Sequence, residues 1–221
     1  MADAPTEPPA VAAFDFDGTL TTSDSFLGFC RRVAGTKAVA QGLARMALRR
    51  PPASGWRDAM KADLVARVMA GRPLEEVSAL AEEYAEAVAR QVTAPMRRIL
   101  ETHRRAGDRM VIVSASLELY LRPAAARLEM DDAIGTRLEV SPDGVLTGRL
   151  DGPNCRGPEK AVRLSRWLDQ AGLQGAVLTA YGNSRGDRQL LEMASSANRV
   201  RRGRPAGPQG ARIEVRHSSR S

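Results

Sequence analysis

The most constraining feature of the sequence is the separation of its first strand-like segment from all the others. An apolar run of strand length occupies residues 11–16, and apolar positions then recur at helical spacing over residues 26–94 without a convincing strand pattern. From residue 95 onward, strand-like and helical segments alternate. Alternation of this kind is typical of a parallel sheet covered by helices on both faces. The sequence therefore predicts an α/β fold with an all-helical segment inserted after the first strand.

The alternating half divides into individual elements. A helix is predicted to end at Gly107, and the β-branched run "MVIVS" predicts a buried strand. The residues Pro142, Asp143 and Gly144 favour a turn between two paired strands. In chain order, the predicted elements are a helix at 95–106, a strand at 110–114, a helix at 117–129, a hairpin at 137–150, a helix at 158–171, a strand at 176–181 and a helix at 187–194.

Chain length and residue composition indicate the expected domain boundaries. A chain of 221 residues accommodates one core of ordinary size with a smaller inserted module. The core is predicted to comprise residues 11–28 and 95–200, and the helical cap residues 29–94. A lead-in at 1–10 is rich in Pro and Ala, and a basic tail covers 201–221, so both are predicted to be disordered.

Most of the net charge of +7 lies in the C-terminal tail and not in the folded body. Seven arginines follow residue 198 against one acid, Glu214, so about +6 of the charge lies there. A specific nucleic-acid partner is therefore not expected. The first ten residues lack a basic and an apolar region, and the two cysteines, Cys30 and Cys155, are too few for a disulfide framework. These features predict a soluble cytoplasmic protein.

Polar groups follow several of the predicted strands. In an open parallel sheet, ligands bind beyond the carboxyl ends of the strands. The side chains expected there are those of Asp15, Asp17, Ser114, Asn183 and Asp187. They predict a single site at one edge of the sheet.

The paired aspartates suit phosphoryl transfer. Because side chains of an extended segment alternate, Asp15 and Asp17 are expected to face one site, where a magnesium ion relieves their repulsion. One carboxylate can attack phosphorus while the other protonates the leaving alcohol and later activates water. Gly18 allows backbone amides to approach a phosphate, and Thr19 can bond to the first carboxylate or the turn.

Two further residues fit a bound phosphate. Ser114 offers a hydroxyl to a phosphate oxygen, and Lys160 offers a positive charge at the start of a helix. Because the helix dipole disfavours a cation at that end, Lys160 is expected to have an anion nearby.

Four segments together resemble the motifs of the haloacid dehalogenase superfamily of phosphohydrolases. They are, in order, "DFDGTL" at 15–20, "VIVSAS" at 111–116, "GPEK" at 157–160 and "YGNSRGDRQLL" at 181–191. The helical insert resembles the cap of the phosphoserine-phosphatase-like branch, subfamily IB. The resemblance covers about residues 11–200 and implies a Rossmann-like core with an all-helical cap.

The resemblance also implies roles for individual residues. Asp15 is the expected nucleophile, and Asp17 the general acid and base whose main-chain oxygen also binds Mg²⁺. Ser114 with its neighbour Ala115, and Lys160, are the expected phosphate contacts, together with Gly18 and Thr19. The expected metal ligands are Asp15, Asp17, Asn183 and Asp187.

The chain departs from the branch at three places. Asn183 stands where phosphoserine phosphatases carry an aspartate ligand, which predicts weaker metal affinity. Asp24 stands where those enzymes read the substrate amine with a glutamate. Their cap arginine has no clear match, with Lys61 and Arg67 as candidates. Phosphoserine is therefore not the favoured substrate.

The sequence thus predicts a Mg²⁺-dependent phosphomonoester phosphatase that acts through an aspartyl-phosphate on a small phosphorylated metabolite. Three alternatives remain open at this point. The basic amphipathic segment 31–50 favours a membrane surface and a lipid phosphate of the phosphatidylglycerophosphate type. A catalytically weak phosphate-binding protein and a phosphotransferase are the others. The oligomeric state is not predicted.

A few other residues carry weaker expectations. His103, beside two arginines on a polar helix, is predicted to lie at the surface. Trp56 and Trp167 are interpreted as packing residues, and Cys155 and Arg156 as possible neighbours of the pocket.

Overall fold

The protein is built on a seven-stranded mixed sheet. The computed structural model describes residues 8–47 and 55–206 of the chain. The strands are β1 (Ala10–Phe14), β2 (Arg109–Leu117), β3 (Asp132–Val140), β4 (Leu146–Asp151), β5 (Val177–Gly182), β6 (Ser196–Arg201) and β7 (Arg204–Pro205). Their order is β4-β3-β2-β1-β5-β6-β7, with β4 and β7 antiparallel to their neighbours and the inner strands parallel.

The helices form the cap and both layers over the sheet. They are α1 (Ser25–Ala47), α2 (Trp56–Met69), α3 (Leu74–Arg90), α4 (Ala94–Ala106), α5 (Glu118–Arg127), α6 (Pro158–Gln170) and α7 (Arg188–Glu192). The cap helices α1, α2 and α3 are inserted between β1 and β2. The predicted α/β fold, with a Rossmann-like core and a helical cap, is confirmed. Among the described residues, no helix has the length and hydrophobicity needed to cross a bilayer.

Strand β1 lies at the centre of the sheet and divides the core in two. Ala12 and Phe14 belong to the apolar cluster that includes the cap helices, α4 and α5. Val11 and Ala13 belong to the cluster under α6 and α7. This division follows from the alternation of side chains along a strand. Because β1 pairs with β2 on one side and β5 on the other, the chain reverses its winding at the carboxyl end of β1, where such folds bind ligands.

The chain crosses between the sheet and the cap twice, once after β1 and once before α4, and hydrogen bonds join these two crossings. The backbone amide of Thr93 donates to the carbonyl of Leu20 at 3.0 Å. The hydroxyl of Ser23 donates to the side-chain oxygen of Gln91 at 2.7 Å. The segment leaving the sheet and the segment returning to it therefore lie side by side.

The structure corrects the sequence prediction in the second half of the sheet. The first strand of the predicted hairpin is β3, which begins at Asp132 and not at residue 137. Its first half pairs in parallel with β2. Strands β6 and β7 were not predicted. Within the expected tail, Arg201 ends β6 and Arg204–Pro205 form β7. Residues 1–7 and 207–221 lie outside the described residues.

The predicted surface position of His103 is wrong. The side chain is buried with 1% exposure, although it lies on a helix rich in arginine. Its Nδ1 lies 2.6 Å from the carboxylate of Asp108, and its Nε2 lies 2.9 Å from the hydroxyl of Tyr181. The ring of Tyr181 stacks on Phe14 at 4.6 Å. Because both ring nitrogens have partners, the burial of this polar residue is compensated.

The basic segment of α1 faces solvent. The side chains of Arg31, Arg32, Lys37 and Arg45 are exposed, and Arg32 pairs with Glu83 of α3. The remaining basic residues of the segment, at 49 and 50, lie outside the described residues. Trp56 is half exposed at 49%, so its interpretation as a packing residue is wrong.

Candidate active site

A cleft of about 340 Å³ opens at the carboxyl ends of β1, β2 and β5, beneath the cap. Every candidate core residue lines it except Thr19, which is buried behind the carboxylate of Asp15. The lining candidates are Asp15, Asp17, Gly18, Asp24, Ser114, Ala115, Lys160, Asn183 and Asp187. The structure therefore brings together residues that are far apart in the sequence.

The carboxylate of Asp15 forms the floor of the cleft. Its backbone amide donates to the carbonyl of Tyr181 at 2.9 Å, which extends the pairing of β1 and β5 by one residue. One carboxylate oxygen accepts from the hydroxyl of Thr19 at 2.8 Å, and the other accepts from Lys160 at 2.6 Å. Burial raises the pKa of Asp15 to about 6, and the charge of Asp187 adds to the increase while Lys160 opposes it.

Lys160 is a buried cation between two carboxylates. It lies in the first turn of α6 with 1% exposure, and its Nζ is 2.6 Å from an oxygen of Asp15 and 2.6 Å from an oxygen of Asp187. Burial alone would lower its pKa, but the charges of both aspartates raise it above its usual value. The anions expected from its position at a helix start are these two groups.

Asp187 is fixed from two sides. Its Oδ1 accepts from Lys160. Its Oδ2 accepts from the backbone amides of Asn183 and Ser184, at 3.1 and 2.8 Å, and from the Ser184 hydroxyl at 2.8 Å. Although burial opposes it, Lys160 lowers the pKa of Asp187, so this carboxylate stays ionised. The arrangement holds the head of Lys160 in place.

The carboxylate of Asp17 points toward the cap. Its Oδ1 accepts from the backbone amide of Ser25 at 2.9 Å, and its Oδ2 accepts from the hydroxyl of Ser116 at 2.5 Å. Burial raises its pKa, and these hydrogen bonds oppose the increase. Its main-chain carbonyl accepts from the amide nitrogen of Asn183 at 3.0 Å. A side chain at Gly18, whose φ is +80°, would overlap that amide, so this close approach requires glycine.

The remaining candidates lie along the wall of the cleft. Ser114 is buried, and its hydroxyl oxygen accepts from the amide of Ser116 at 3.2 Å, which leaves its hydrogen available for a ligand. The carbonyl of Ala115 accepts from Lys61. Asp24 is exposed at the mouth, where it accepts from the amide of Leu27 at 3.0 Å and caps α1.

The cap contributes Lys61 to the cleft and not Arg67. Lys61 is buried, and its Nζ bonds to the carbonyl of Ala115 and, at 3.0 Å, to the side-chain oxygen of Asn154. Burial lowers the pKa of Lys61 to about 8. Arg67 lies outside the cleft and pairs with Asp63 at 2.6 Å on the same helix.

Several lining residues were missed by sequence reasoning. They include Arg57, Met60, Ser116 and Asn154. Ser116 carried a readable signal, because it is two residues from Ser114 on the same strand and therefore on the same side. Arg156 lines the cleft, whereas Cys155 is fully buried in the core.

The donor set fits a magnesium ion. Asp15, Asp17 and Asp187 bring three carboxylates to a cleft in which Lys160 is the cation in contact with two of them. In the part of the chain that the structure describes, no group of three or more His, Cys, Asp or Glu side chains is arranged to hold a metal. The carboxylates of Asp15 and Asp187, the Asp17 carbonyl and the Asn183 amide, completed by water, would supply the hard oxygen ligands that Mg²⁺ accepts. The side-chain nitrogen of Asn183 donates to the Asp17 carbonyl, so the amide must rotate before its oxygen can bind Mg²⁺.

The chain is similar to known proteins over nearly all of its described length. The sequence model of the haloacid dehalogenase-like hydrolases matches residues 12–192. Protein CicA of Caulobacter vibrioides is 38% identical over 202 residues, which cover 90% of this chain and 89% of that protein. Phosphoserine phosphatase SerB1 of Mycobacterium tuberculosis is 33% identical over 128 residues, which cover 58% of this chain and 41% of that protein. A solved structure of a protein of unknown function from Bordetella pertussis Tohama I is 26% identical with a TM-score of 0.66, covering 84% of this chain and 86% of that one.

Proposed function

This chain belongs to the haloacid dehalogenase-like hydrolase family, and we propose that it is a Mg²⁺-dependent phosphatase that releases phosphate from a small phosphomonoester through an aspartyl-phosphate on Asp15. The observation that carries the proposal is the floor of the cleft. A buried carboxylate faces open space there, with Lys160 within 2.6 Å of it. The similarity to a phosphoserine phosphatase supports a phosphoric monoester as the substrate class.

Asp15 is the nucleophile in this proposal. An oxygen of its carboxylate forms a bond to phosphorus as the bond between phosphorus and the leaving oxygen breaks. Thr19 and Lys160 hold the carboxylate in one orientation through their hydrogen bonds. With a pKa of about 6, the group is mostly ionised at neutral pH and able to attack.

Asp17 is the general acid and then the general base. Its proton passes to the departing alcohol oxygen, which leaves Asp17 as a carboxylate. That carboxylate then takes a proton from the water that attacks the phosphoryl group on Asp15. The second attack returns Asp15 to its free form and releases inorganic phosphate.

The phosphoryl oxygens are bound by groups on the cleft wall. Lys160 supplies positive charge, the free hydroxyl hydrogen of Ser114 supplies a hydrogen bond, and backbone amides near Gly18 and Ala115 supply further donors. Asp15, the Asp17 carbonyl, Asn183 and Asp187 would hold the Mg²⁺. When bound, the ion neutralises charge on the phosphoryl group.

The experiment is phosphate release from 4-nitrophenyl phosphate, measured with Mg²⁺ and with EDTA. We expect activity that depends on Mg²⁺ and falls by at least about 10³-fold in Asp15→Asn. Asp169→Asn makes the same change on the exposed face of α6 and should leave the rate unchanged. Equal rates for Asp15→Asn and the wild type would reject the proposal and favour a phosphate-binding protein.

The substrate itself requires a screen. Soluble phosphorylated metabolites and lipid phosphates in vesicles are compared with and without divalent cation, and added alcohols test for phosphoryl transfer. We propose a soluble metabolite and a cytoplasmic location, which the free thiols of Cys30 and Cys155 support.

A further inference from the structure

A chain of three buried hydroxyls leads away from the carboxylate of Asp17. The Oγ of Ser116 lies 2.5 Å from Asp17 Oδ2, the Oγ of Ser25 lies 3.3 Å from that of Ser116, and the hydroxyl of Tyr120 lies 2.8 Å from Ser25 Oγ. Their exposures are 2%, 3% and 0%. They come from β2, the start of α1 and α5, so three separate elements converge on one carboxylate.

The direction of these hydrogen bonds follows from counting hydrogens. Each hydroxyl has one hydrogen to donate. Ser116 donates its hydrogen to Asp17, so the hydrogen between Ser116 and Ser25 must come from Ser25. The hydrogen between Ser25 and Tyr120 must then come from Tyr120. The chain therefore points in one direction, from Tyr120 to the carboxylate.

We propose that Ser116, supported by Ser25 and Tyr120, is a positioning residue that holds the Asp17 carboxyl group for proton transfer to the leaving alcohol. This inference rests on the proposed function. The second lone pair of each carboxylate oxygen stays free to carry the transferred proton. As the bond from phosphorus to the leaving oxygen breaks, that oxygen keeps the electron pair and takes the proton. The charge left on Asp17 is then stabilised by the Ser116 hydroxyl and the Ser25 amide.

A neighbouring tyrosine provides a matched control. The hydroxyl of Tyr84 donates to the main-chain carbonyl of Ser25 at 2.9 Å and not to its Oγ. The ring of Tyr84 packs edge-on against Tyr120 with centroids 5.3 Å apart. Tyr84→Phe and Tyr120→Phe therefore each remove one hydroxyl from the same aromatic cluster, but only the second shortens the chain that ends at Asp17.

The test compares two substrates that differ in their need for an acid. 4-Nitrophenyl phosphate, the phenyl ester, releases 4-nitrophenolate, which needs no proton to leave. 4-Nitrobenzyl phosphate, the benzyl ester, releases an alcohol whose oxygen must be protonated as it leaves. The ratio kcat/KM reports the steps up to leaving-group release and is therefore insensitive to the later hydrolysis. We expect Ser116→Ala to lower kcat/KM at least about 10-fold more for the benzyl ester than for the phenyl ester, a fraction of the effect of a general acid. Ser116→Thr keeps a hydroxyl and should restore the benzyl rate.

The tyrosine variants complete the test. We expect Tyr120→Phe to lower the benzyl rate selectively but less than Ser116→Ala, and Tyr84→Phe to leave the ratio of the two rates unchanged. Equal losses for both esters in Ser116→Ala would show a structural role and overturn the inference. If circular dichroism shows that Ser116→Ala does not fold, an unchanged ratio in Tyr120→Phe overturns it instead. A wild type that releases phosphate from neither ester contradicts the proposed function, and this inference falls with it.

Discussion

Replacing Lys160 by methionine removes the buried cation that joins Asp15 to Asp187. Methionine keeps a side chain of similar length, so packing around α6 changes little. Two carboxylates then remain in the interior without the charge that each contacts at 2.6 Å. We expect a large loss of stability in the absence of metal.

The magnitude follows from the burial of the pair. Removing one partner of a buried ion pair costs about 3–5 kcal/mol, which is a third or more of the free energy of unfolding of many domains. The raised pKa of Asp15, about 6 even with Lys160 present, already corresponds to a cost on the order of 3 kcal/mol at neutral pH. Because the folded-state pKa is raised, that cost is fully present above pH 6 and declines as the pH falls from 6 toward the ordinary pKa of 3.8. The effect of Lys160→Met should therefore be largest at pH 7–8 and smaller near pH 5.

The assay is urea unfolding in EDTA, followed by the fluorescence of the half-buried Trp167. The control is Arg90→Met, which breaks the exposed pair with Glu86 and should cost less than about 1 kcal/mol. A loss in Lys160→Met no greater than in Arg90→Met, or one independent of pH, would refute the reasoning. Mg²⁺ should recover part of the loss, because an ion that binds only the folded state stabilises it.

Two other predictions concern the cap. Gly28→Ala places a methyl group against the hydroxyl of Tyr84 and should lower the free energy of unfolding by about 1–3 kcal/mol in thermal or urea unfolding. This cost should shrink when Tyr84→Phe removes the hydroxyl. An equal cost in both backgrounds would contradict the contact. The pKa of Lys61, lowered to about 8, predicts that the folded state loses this proton before the unfolded state does. Raising the pH from 8 to 10 should therefore stabilise the wild type relative to Lys61→Met by about 1–3 kcal/mol, and parallel stability curves for the two proteins would exclude it.

The sequence predicted the polar residues at the strand ends of the cleft because parallel strands place their carboxyl ends together. Asp15, Ser114 and Asp187 each follow or end an apolar strand pattern, so their convergence needs no knowledge of distant contacts. The hydroxyl chain behind Asp17 depends on Ser25 and Tyr120, which come from helices whose orientation is set by tertiary packing. No local pattern reveals that arrangement.

The missed strand β6 and the wrong surface position of His103 also depend on contacts that no local pattern shows. Strand β6 contains one fully buried apolar side chain, Val200, and is held mainly by backbone pairing to β5, so it has almost no hydrophobic signal. His103 was predicted to lie at the surface because its neighbours in sequence are charged. Its burial depends on Asp108 and Tyr181, and the second of these lies 78 residues away.

The joined crossings at Leu20–Thr93 and Ser23–Gln91 have a consequence for how such enzymes diversify. Apart from Ser25, whose amide contacts Asp17, we expect the segment between these crossings to tolerate changes in length and sequence without altering the register of β1 against β2 or β5. Under the proposed function, we therefore expect substitutions in the cap to change substrate preference while Asp15, Ser114 and Lys160 in the core stay the same.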